Sequence, residues 1–422
     1  MKVYKFGGAS VKDATGIRDL SKIVLGEQAN LVVVISALGK TTNALENVLK
    51  AWLNEDVIYN KLIEEIFVNH QSVIIDLFTD KTLISDKISA SFARLREYLQ
   101  TNKNTTYDFD YDQVVSFGEV WSTLIVAEYL KVEFTDVEWI DIRENLITDN
   151  RFRDANILWS ESTNRILDIF DFSKKRIYVT QGFIGGTVTG HTTTLGREGS
   201  DYTAAIIANI LDAEYLAVWK DVPGILNADP KWLPDAQKLD EISYKEAVEI
   251  TFSGAKVIHP KTIKPLHNKN IPLHVLSFLV PEGKGTVIKA EATKGKIMPV
   301  FIKKEDQILV SILPKDFSFV MGDNLSKVFH AFMISGIKVN LVQASAVSIN
   351  VCVDDERSKV DLLINELKAE YTAVYNEKVE MLSIRHYTAA AIERITNGRE
   401  ILLEQRTRST VRFVVRQESK NL

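Results

Sequence analysis

The sequence predicts an α/β protein whose mostly parallel central sheet is covered by helices on both faces and is followed by smaller α+β modules. Over the first 280 residues, short β-branched runs alternate with longer helical stretches, which is typical of βαβ units. A charged, glycine-containing and aperiodic stretch at 281–296 then interrupts the pattern, as linkers do. Beyond it, the order restarts as strand, helix, strand, strand.

The predicted strands of the first region are short runs rich in β-branched and aromatic residues, which favour extended backbone. The stretch 43–103 carries few strand signals and is interpreted as a helix-rich insertion. The strands are expected at 3–6, 30–36, 137–142, 176–183, 214–220 and 272–277. The clearest helices are expected at 13–26, 200–213 and 244–255.

The second region makes two short passes through the same order of elements, a weak internal repeat. The second pass is interpreted as truncated, because little chain follows its last strand. The first pass has strands at 306–314, 337–343 and 346–354 and a helix at 323–336. The second has strands at 379–387, 400–406 and 410–417 and a helix at 388–396. We therefore expect a first domain at 1–280, a linker at 281–299 and a tandem α+β region at 300–422.

Composition and charge exclude several classes of function. The 422 residues carry a formal net charge of -5 without a lysine-rich or arginine-rich block, so neither nucleic acid nor a membrane surface is an expected partner. The longest apolar runs are far shorter than the roughly 20 residues that span a bilayer. The single cysteine, Cys352, lies in an apolar run and is expected to be a buried strand residue. This cysteine usage fits a reducing compartment, and we expect a cytoplasmic protein.

Glycine-containing, charged turns follow several predicted strands. In an open parallel sheet such turns gather beyond the carboxyl ends of the strands, where ligands bind, and backbone N–H groups at a helix start favour anions. The segment "ISALGKTT" is not a P-loop, because Val34 stands where that motif needs glycine. Ser200 is expected as a helix N-cap with Asp201 in the first turn. The charged residues expected to converge on one cleft are Lys5, Arg197, Asp201, Asp221, Lys231 and Lys256.

Such a set of cations with one or two aspartates matches what phosphoryl transfer to a small acid requires. The cations neutralise charge on the phosphoryl oxygens, Mg²⁺ bridges the nucleotide phosphates, and an aspartate orients a lysine. Each residue alone has an ordinary structural explanation, such as a lysine that snorkels from a strand end. The combination and its order along the chain are what indicate a kinase site.

Several of these segments resemble the signature motifs of aspartate kinases, members of the amino-acid kinase superfamily. They are "KFGGAS", "SFGEVWS", "TTTLGREGSDYTAA", "DVPGILNADP" and "SGAKVIHP". The resemblance covers essentially the whole chain. It implies a three-layer αβα amino-acid kinase fold followed by paired ACT modules of the ferredoxin-like type. It also implies phosphorylation of the β-carboxylate of L-aspartate by ATP with Mg²⁺, giving 4-phospho-L-aspartate, the first step of the aspartate-family amino-acid pathway.

The resemblance implies a role for each matching residue. The catalytic residues are Lys5, which polarises the transferring phosphate, and Asp201, which organises the lysines. On the amino-acid side, Glu119 pairs with the ammonium group and Arg197 takes the α-carboxylate, while Ser36, Ala37, Thr42 and Ser200 line the pocket. The ATP-binding residues are Lys5, Gly7, Gly8, Ser10, Lys220, Asp221, Lys231 and Lys256. No metal ligand is expected among the protein side chains.

For the ACT region, the resemblance implies a homodimer interface and an amino-acid effector site, with contacts expected at Asn340 and Ser345. Lysine-sensitive relatives offer acidic side chains to the effector, whereas Asn340 and Ala346 stand at the matching positions here. We therefore predict weak or absent inhibition by lysine. An ACT pair that serves only for dimerisation is an equally open interpretation.

Two other functions are also open. One is another enzyme of the amino-acid kinase fold, acting on glutamate or acetylglutamate, and the other is a non-catalytic amino-acid sensor with ACT modules. Four positions depart from the family pattern: Ala9 replaces threonine, Glu198 replaces glycine, Leu226 stands where many relatives carry tyrosine, and Lys231 replaces a common arginine.

Overall fold

The apolar runs of the first 290 residues form the strands of one mostly parallel sheet, and three further short strands form a small separate sheet. The computed structural model describes residues 1–102, 106–255, 258–292, 298–316 and 318–417. Before residue 293 the strands are β1 (Lys2–Phe6), β2 (Leu31–Ile35), β3 (Val137–Ile140), β4 (Ile147–Thr148), β5 (Ile177–Gln181), β6 (Ile184–Thr187), β7 (Thr192–Thr194), β8 (Leu216–Lys220), β9 (Glu241–Ser243), β10 (Leu273–Ser277) and β11 (Thr286–Lys289).

The helices of the same region differ widely in length. They are α1 (Ala14–Gly26), α2 (Thr41–Leu53), α3 (Ile58–Leu77), α4 (Thr82–Thr101), α5 (Tyr107–Val115), α6 (Phe117–Glu133), α7 (Trp159–Ile169), α8 (Gly199–Ile210), α9 (Tyr244–Phe252) and α10 (Pro260–Lys269). Short 3₁₀ turns lie at Gly8–Val11 and Ile142–Glu144. Helices α2, α3 and α4 occupy the stretch that the sequence predicts as helix-rich.

The central sheet has the strand order β3-β5-β2-β1-β8-β10-β11-β9. Its neighbours pair in parallel except for β10 and β11, which are antiparallel. Every residue of β2 and of β5 is buried, as expected for parallel strands covered on both faces. The predicted α/β class with a mostly parallel sheet is confirmed.

One strand lies inside the stretch that the sequence predicts as a linker. Thr286–Lys289 form β11, which pairs with β10 on one side and with β9 on the other. This strand forms because of its contacts with the rest of the fold, since its local sequence is rich in glycine and lysine. Thr286 and Ile288 are buried and alternate with half-buried neighbours, as in a strand with one face in the core.

Helix α6 is anchored by its aromatic residues. The ring of Trp121 stacks on Phe92 of α4 with centroids 3.7 Å apart, and its indole N–H donates to Ser91 Oγ at 2.9 Å. This packing fixes the N-terminal turn of α6.

The chain forms two compact units. The second unit draws in upstream segments, and the domain limits expected from the sequence stay a prediction. The first unit contains Met1–Ile225, Lys238–Val248 and Val257–Thr293, and the second contains Leu226–Gln237, Glu249–Lys256 and Lys294–Leu422.

The second unit is built on an antiparallel sheet with the order β13-β14-β12-β15-β17-β16. Its strands are β12 (Val300–Pro314), β13 (Val339–Ala344), β14 (Ile349–Asp354), β15 (Tyr371–Arg385), β16 (Arg399–Arg406) and β17 (Thr410–Gln417). Its helices are α11 (Asp323–Ile334), α12 (Arg357–Leu367) and α13 (Ala389–Thr396). This separate sheet with its helices fits the expected ACT-type modules.

Two long strands are shared by both halves of this sheet. The first five residues of β12, 300–304, pair with 381–385 of β15, and residues 307–314 pair with 371–379 after an irregularity in register. The first half of the sheet adds β14 and β13, and the second adds β17 and β16. The second half therefore has four strands, because the start of β12 supplies one that the local sequence order does not show.

Candidate active site

Three neighbouring parallel strands bring polar residues to one edge of the central sheet. Lys5 is the last residue but one of β1, which pairs with β2 on one side and with β8 on the other. Ser36 directly follows β2, and Lys220 is the last residue of β8. Because the carboxyl ends of parallel strands meet at the same edge, these side chains lie around one cavity.

Asp201 joins the two lysines. It lies in the first turn of α8 and is 2% exposed. Its Oδ1 lies 2.7 Å from Lys5 Nζ, and its Oδ2 lies 3.7 Å from Lys220 Nζ. Burial is the largest influence on the pKa of Asp201 and raises it, but the two lysine charges together hold this pKa below its ordinary value. Asp201 is therefore a carboxylate that fixes the position of two ammonium groups.

The carboxyl group of Glu119 enters the same cavity from the first turn of α6. It is buried, and burial raises its pKa to about 8, against the opposing effects of hydrogen bonds from the backbone of Ala37 and the side chain of Thr42. Within the described part of the chain, Glu119 Oε2 is buried without a hydrogen-bond partner. Such an oxygen has unused hydrogen-bonding capacity, which an ammonium group would satisfy.

Close packing holds the turns after β1 and β2 together. A Cβ atom on Gly8 would lie 2.7 Å from the carbonyl oxygens of both Ala37 and Gly39, so this position requires glycine. On the neighbouring strand, Ser36 Oγ donates to Ser200 Oγ at 3.0 Å. This bond ties the end of β2 to the first turn of α8.

Helix α8 begins at Gly199, two residues before the start that an N-cap at Ser200 would give. The N-cap position belongs to Glu198 and not to Ser200, so that expectation is wrong. Glu198 has a left-handed φ of 54°, the conformation that glycine adopts most readily, and the family motif has glycine here. Because this residue leaves the helical conformation, the helix can begin at Gly199. The Glu198 side chain lines the cavity, and its Oε2 is buried without a partner in the described part of the chain.

The cavity has a volume of about 530 Å³ and gathers most of the predicted site. Arg197, one of its lining residues, is exposed. Ala37 acts through its backbone on Glu119, and Gly7, Gly8 and Ser10 form the turn behind Lys5. The predicted residues that line the cavity are Lys5, Ser36, Thr42, Glu119, Arg197, Ser200, Asp201 and Lys220.

The remaining residues predicted for ATP are not among those that line this cavity. Asp221 directly follows β8 and is exposed. Lys231 is exposed and belongs to the second unit. Lys256 lies outside the described residues. Their roles in nucleotide binding stay predictions.

The sequence reasoning missed a second group of lining residues, which includes Tyr111, Arg153, Phe183 and Thr194. Asp112 supports this group: it accepts from the backbone N–H of Arg153 at 2.9 Å, and from the N–H and Oγ1 of Thr194 at 2.8 and 2.7 Å. Burial raises the pKa of Asp112 to about 6. The aspartates of the segment "YDFDYDQVV" could have indicated this group of lining residues from the sequence. The aperiodic loop around Arg153 carries no pattern that would have indicated it.

The two residues predicted to contact an effector lie in or next to β13. Asn340 is held internally: its Oδ1 accepts from Lys304 Nζ at 2.8 Å, and its Nδ2 donates to Gln307 Oε1 at 2.8 Å and to Asp354 Oδ1 at 2.9 Å. Ser345 follows β13 and is exposed. A role for either residue in effector binding stays a prediction.

The described residues contain no group of three or more His, Cys, Asp and Glu side chains arranged to hold a metal ion. They also contain no helix with the length and apolar character needed to cross a membrane. Cys352 is buried in β14, as predicted, and burial raises the pKa of its thiol to about 12.

Comparison with known proteins places the chain among kinases of amino acids. The sequence model of the amino acid kinase family matches residues 1–277. Lysine-sensitive aspartokinase 3 of Escherichia coli is 31% identical over 382 residues, which cover 90% of this chain and 84% of that protein.

Two crystal structures of E. coli aspartokinase III resemble the present structure over nearly the whole chain. The complex with aspartate and ADP, described as the R-state, has a TM-score of 0.84 at 27% identity and covers 99% of this chain and 96% of that one. The complex with lysine and aspartate, described as the T-state, has a TM-score of 0.82 at 28% identity, with the same coverage of 99% and 96%.

Proposed function

Because this chain belongs to the amino acid kinase family and, within it, to the aspartokinases, it is an aspartate kinase, and we propose that its reaction takes place in the cavity around Lys5 and Asp201. The enzyme phosphorylates the β-carboxylate of L-aspartate with ATP and forms 4-phospho-L-aspartate and ADP. The chain's relatives are named for this activity, and a similar structure holds aspartate and ADP.

One observation supports this location above all others. The ion pairs from Asp201 to Lys5 and to Lys220 lie in the same cavity as the buried, unpartnered oxygen of Glu119. The two lysines suit phosphate oxygens, and the unpartnered oxygen of Glu119 suits an ammonium group. The cavity lining carries four cationic and three acidic side chains, which matches a substrate pair with several negative charges and one positive charge.

The phosphoryl transfer needs positioned charges more than proton transfer. A carboxylate oxygen of aspartate forms the new bond to the γ-phosphorus, and the bond from that phosphorus to the oxygen bridging to ADP breaks. Lys5 and Lys220 neutralise charge on the phosphate oxygens while Asp201 holds them in position. The β-carboxylate has a pKa near 4 and is ionised at neutral pH, so no general base is required.

On the amino-acid side, two charged groups fix the substrate. Glu119, in its ionised form, pairs with the ammonium group, and Arg197 binds the α-carboxylate through its planar fork. Ser36, Ser200 and Thr42 complete the polar lining. These contacts hold the β-carboxylate towards Lys5, which is the positioning that lowers the barrier.

Mg²⁺ is the expected companion of ATP, and the residues present fit it. Mg²⁺ is usually held by one or two carboxylates together with the nucleotide phosphates. Although the sequence predicts no side-chain metal ligand, Glu198, whose Oε2 is buried without a partner in the described part of the chain, is the residue that would hold it. When bound, the ion neutralises charge on the β- and γ-phosphates.

We also propose an oligomeric state, a location and an effector site for this enzyme. We expect a homodimer formed through the ACT-type region and a cytoplasmic location. An amino-acid effector would bind at the ACT-type modules, since a similar structure holds lysine together with aspartate.

The substrate assignment is tested by ADP release in the presence of L-aspartate, L-glutamate, L-asparagine or succinate. We expect activity with L-aspartate, none with L-asparagine because it lacks the acceptor carboxylate, and strongly reduced activity with succinate because it lacks the ammonium group. Lys5→Ala serves as the inactive control. Equal rates with L-glutamate, or with succinate, would contradict the proposed recognition.

A further inference from the structure

A second, smaller cavity is lined only by residues of the second unit, and it shares no lining residue with the kinase cavity. It has a volume of about 180 Å³, below the 300–1,000 Å³ typical of sites for drug-sized ligands, so it suits a small ion. It is formed by the end of β15, the start of β17 and the turn between β16 and β17, together with α9. Its lining includes the charged and hydroxyl-bearing residues Glu249, Arg385, Thr407, Ser409, Thr410 and Arg412.

Two guanidinium groups meet at this cavity, but only one carboxylate lines it. Arg385, with 7% of its side chain exposed, donates to Glu249 Oε2 at 3.2 Å and to Thr410 Oγ1 at 2.8 Å. The Glu249 side chain is 39% exposed, so it neutralises Arg385 from the solvent side. The lining therefore keeps an excess of positive charge.

Arg412 carries that excess. Its Nε is buried and has no hydrogen-bond acceptor among the described residues. Its guanidinium lies over the ring of Phe252, 5.4 Å from the centroid, a contact that offers no oxygen. Burial is the largest influence on the pKa of Arg412 and lowers it; the charge of Glu249 raises this pKa and that of Arg385 lowers it, and the net shift is downward. Arg412 is half-buried, and a buried Nε–H group without an acceptor costs free energy that an anion would offset.

The turn between β16 and β17 adds hydroxyl groups to the same cavity. Thr407 Oγ1 accepts from the backbone N–H of Thr410 at 3.1 Å and donates to the carbonyl oxygen of Thr410 at 3.2 Å, so it fixes the turn and its proton is already used. The side chain of Ser409 lines the cavity next to it. Guanidinium and hydroxyl donors around a small space are the groups that bind oxyanions.

We propose that this cavity of the ACT-type unit binds a small oxyanion of the phosphate class, held by Arg412 and Arg385 with the hydroxyl groups of Ser409 and Thr410. The ion would sit on the side of Arg412, away from the carboxylate of Glu249. The site is separate from the kinase cavity and does not depend on the function proposed for it.

The test is equilibrium dialysis of the full-length protein against radiolabelled inorganic phosphate, with ionic strength held constant by sodium chloride. Phosphate can also bind at Lys5 and Lys220, so the variant Lys5→Ala separates the two sites. We expect saturable binding that Arg412→Gln weakens about tenfold or more, since one hydrogen bond to a charged group is lost. Lys5→Ala should still bind phosphate at the cavity of the second unit.

Arg416→Gln is the matched control, because Arg416 lies on the same strand and pairs with Glu400 outside the cavity. Ser409→Ala is a milder second variant, expected to weaken binding roughly two- to tenfold even if Arg412→Gln folds poorly. Absence of saturable phosphate binding in the millimolar range would overturn the proposal. Equal binding by Arg412→Gln and Arg416→Gln, or binding that Lys5→Ala alone abolishes, would overturn it as well.

Discussion

Glu119 offers the sharpest test of the amino-acid side of the site. Its carboxyl group is buried, its pKa is raised to about 8, and one of its oxygens has no hydrogen-bond partner in the described part of the chain. The free enzyme therefore holds a proton on Glu119 at neutral pH. Pairing with the substrate ammonium requires the ionised form, so aspartate can bind productively only to the fraction of enzyme that has lost this proton.

The size of the effect follows from the pKa. With a pKa of about 8, roughly one tenth of Glu119 is ionised at pH 7 and roughly one hundredth at pH 6. Since kcat/KM reports ionisations of the free enzyme, kcat/KM for aspartate should fall about tenfold for each pH unit below 8. The β-carboxylate of aspartate stays ionised throughout this range and adds no slope of its own.

The assay is a pH profile of kcat/KM for aspartate at saturating ATP, from pH 6 to 9, for the wild type and for Glu119→Gln. The variant should lose the slope and lie about 10- to 100-fold below the wild-type plateau, because an ionic hydrogen bond is gone. Glu128→Gln is the control, since Glu128 is on the same helix and pairs with Lys87 and Lys131 instead. A flat wild-type profile, or an unchanged slope in Glu119→Gln, would refute the assignment.

The same pKa affects stability. Because the pKa of Glu119 is raised from 4.5 to about 8, the folded protein holds a proton that the unfolded chain releases between these pH values. This contribution to the free energy of unfolding is fully present below pH 4.5 and is lost as pH rises towards 8. Denaturant titrations at pH 6 and pH 9 should therefore show a smaller pH-dependent loss in Glu119→Gln than in the wild type.

Three further changes probe other parts of the site. Arg197→Ala should raise the KM for aspartate far more than the KM for ATP, measured by steady-state kinetics with each substrate varied. Lys5→Ala should lower kcat by about 10²–10³, as for other single electrostatic donors. Gly8→Ala should lower the free energy of unfolding by about 1–3 kcal/mol in denaturant titrations, because its Cβ would meet two carbonyl oxygens at 2.7 Å. Gly26→Ala, with no atom within 4 Å of the added Cβ, is its control. An activity titration with lysine should show little inhibition, since Asn340 replaces an acidic side chain.

A specific result would contradict each of these predictions. A larger effect of Arg197→Ala on the KM for ATP would reverse its assignment, and an unchanged kcat in Lys5→Ala would remove that lysine from the reaction. Equal stability of Gly8→Ala and Gly26→Ala would show that the turn after β1 tolerates a side chain. Half-inhibition by lysine below 1 mM would contradict the prediction for Asn340.

The fold was predictable where local sequence and tertiary environment agree. The strand β2 is apolar at every position, and it lies in the middle of a parallel sheet where both faces are buried. The first part of β15, from Tyr371, escaped prediction because most of its side chains are exposed or half-buried and polar. The strand β11 escaped because its pairing partners, β10 and β9, come from elsewhere in the chain.

Some residues of the site were likewise predictable from the local sequence, and others were not. Lys5, Glu119, Arg197 and Asp201 stand in short motifs with a recognisable order, and all four line one cavity. Arg153 could not be predicted, because it comes from an aperiodic loop whose backbone is fixed by a buried acid 41 positions away. Contacts of this kind are set by tertiary packing, and local sequence pattern carries no record of them.

The most direct measurement is to trap the reaction product with hydroxylamine. Purified enzyme with ATP, Mg²⁺ and L-aspartate should accumulate aspartyl hydroxamate, because the proposed product is an acyl phosphate that hydroxylamine attacks. L-glutamate, run in parallel, should give no signal, and Lys5→Ala should give at most about one hundredth of the wild-type rate. Folded wild-type protein that binds ATP but forms no hydroxamate from L-aspartate would contradict the proposed reaction.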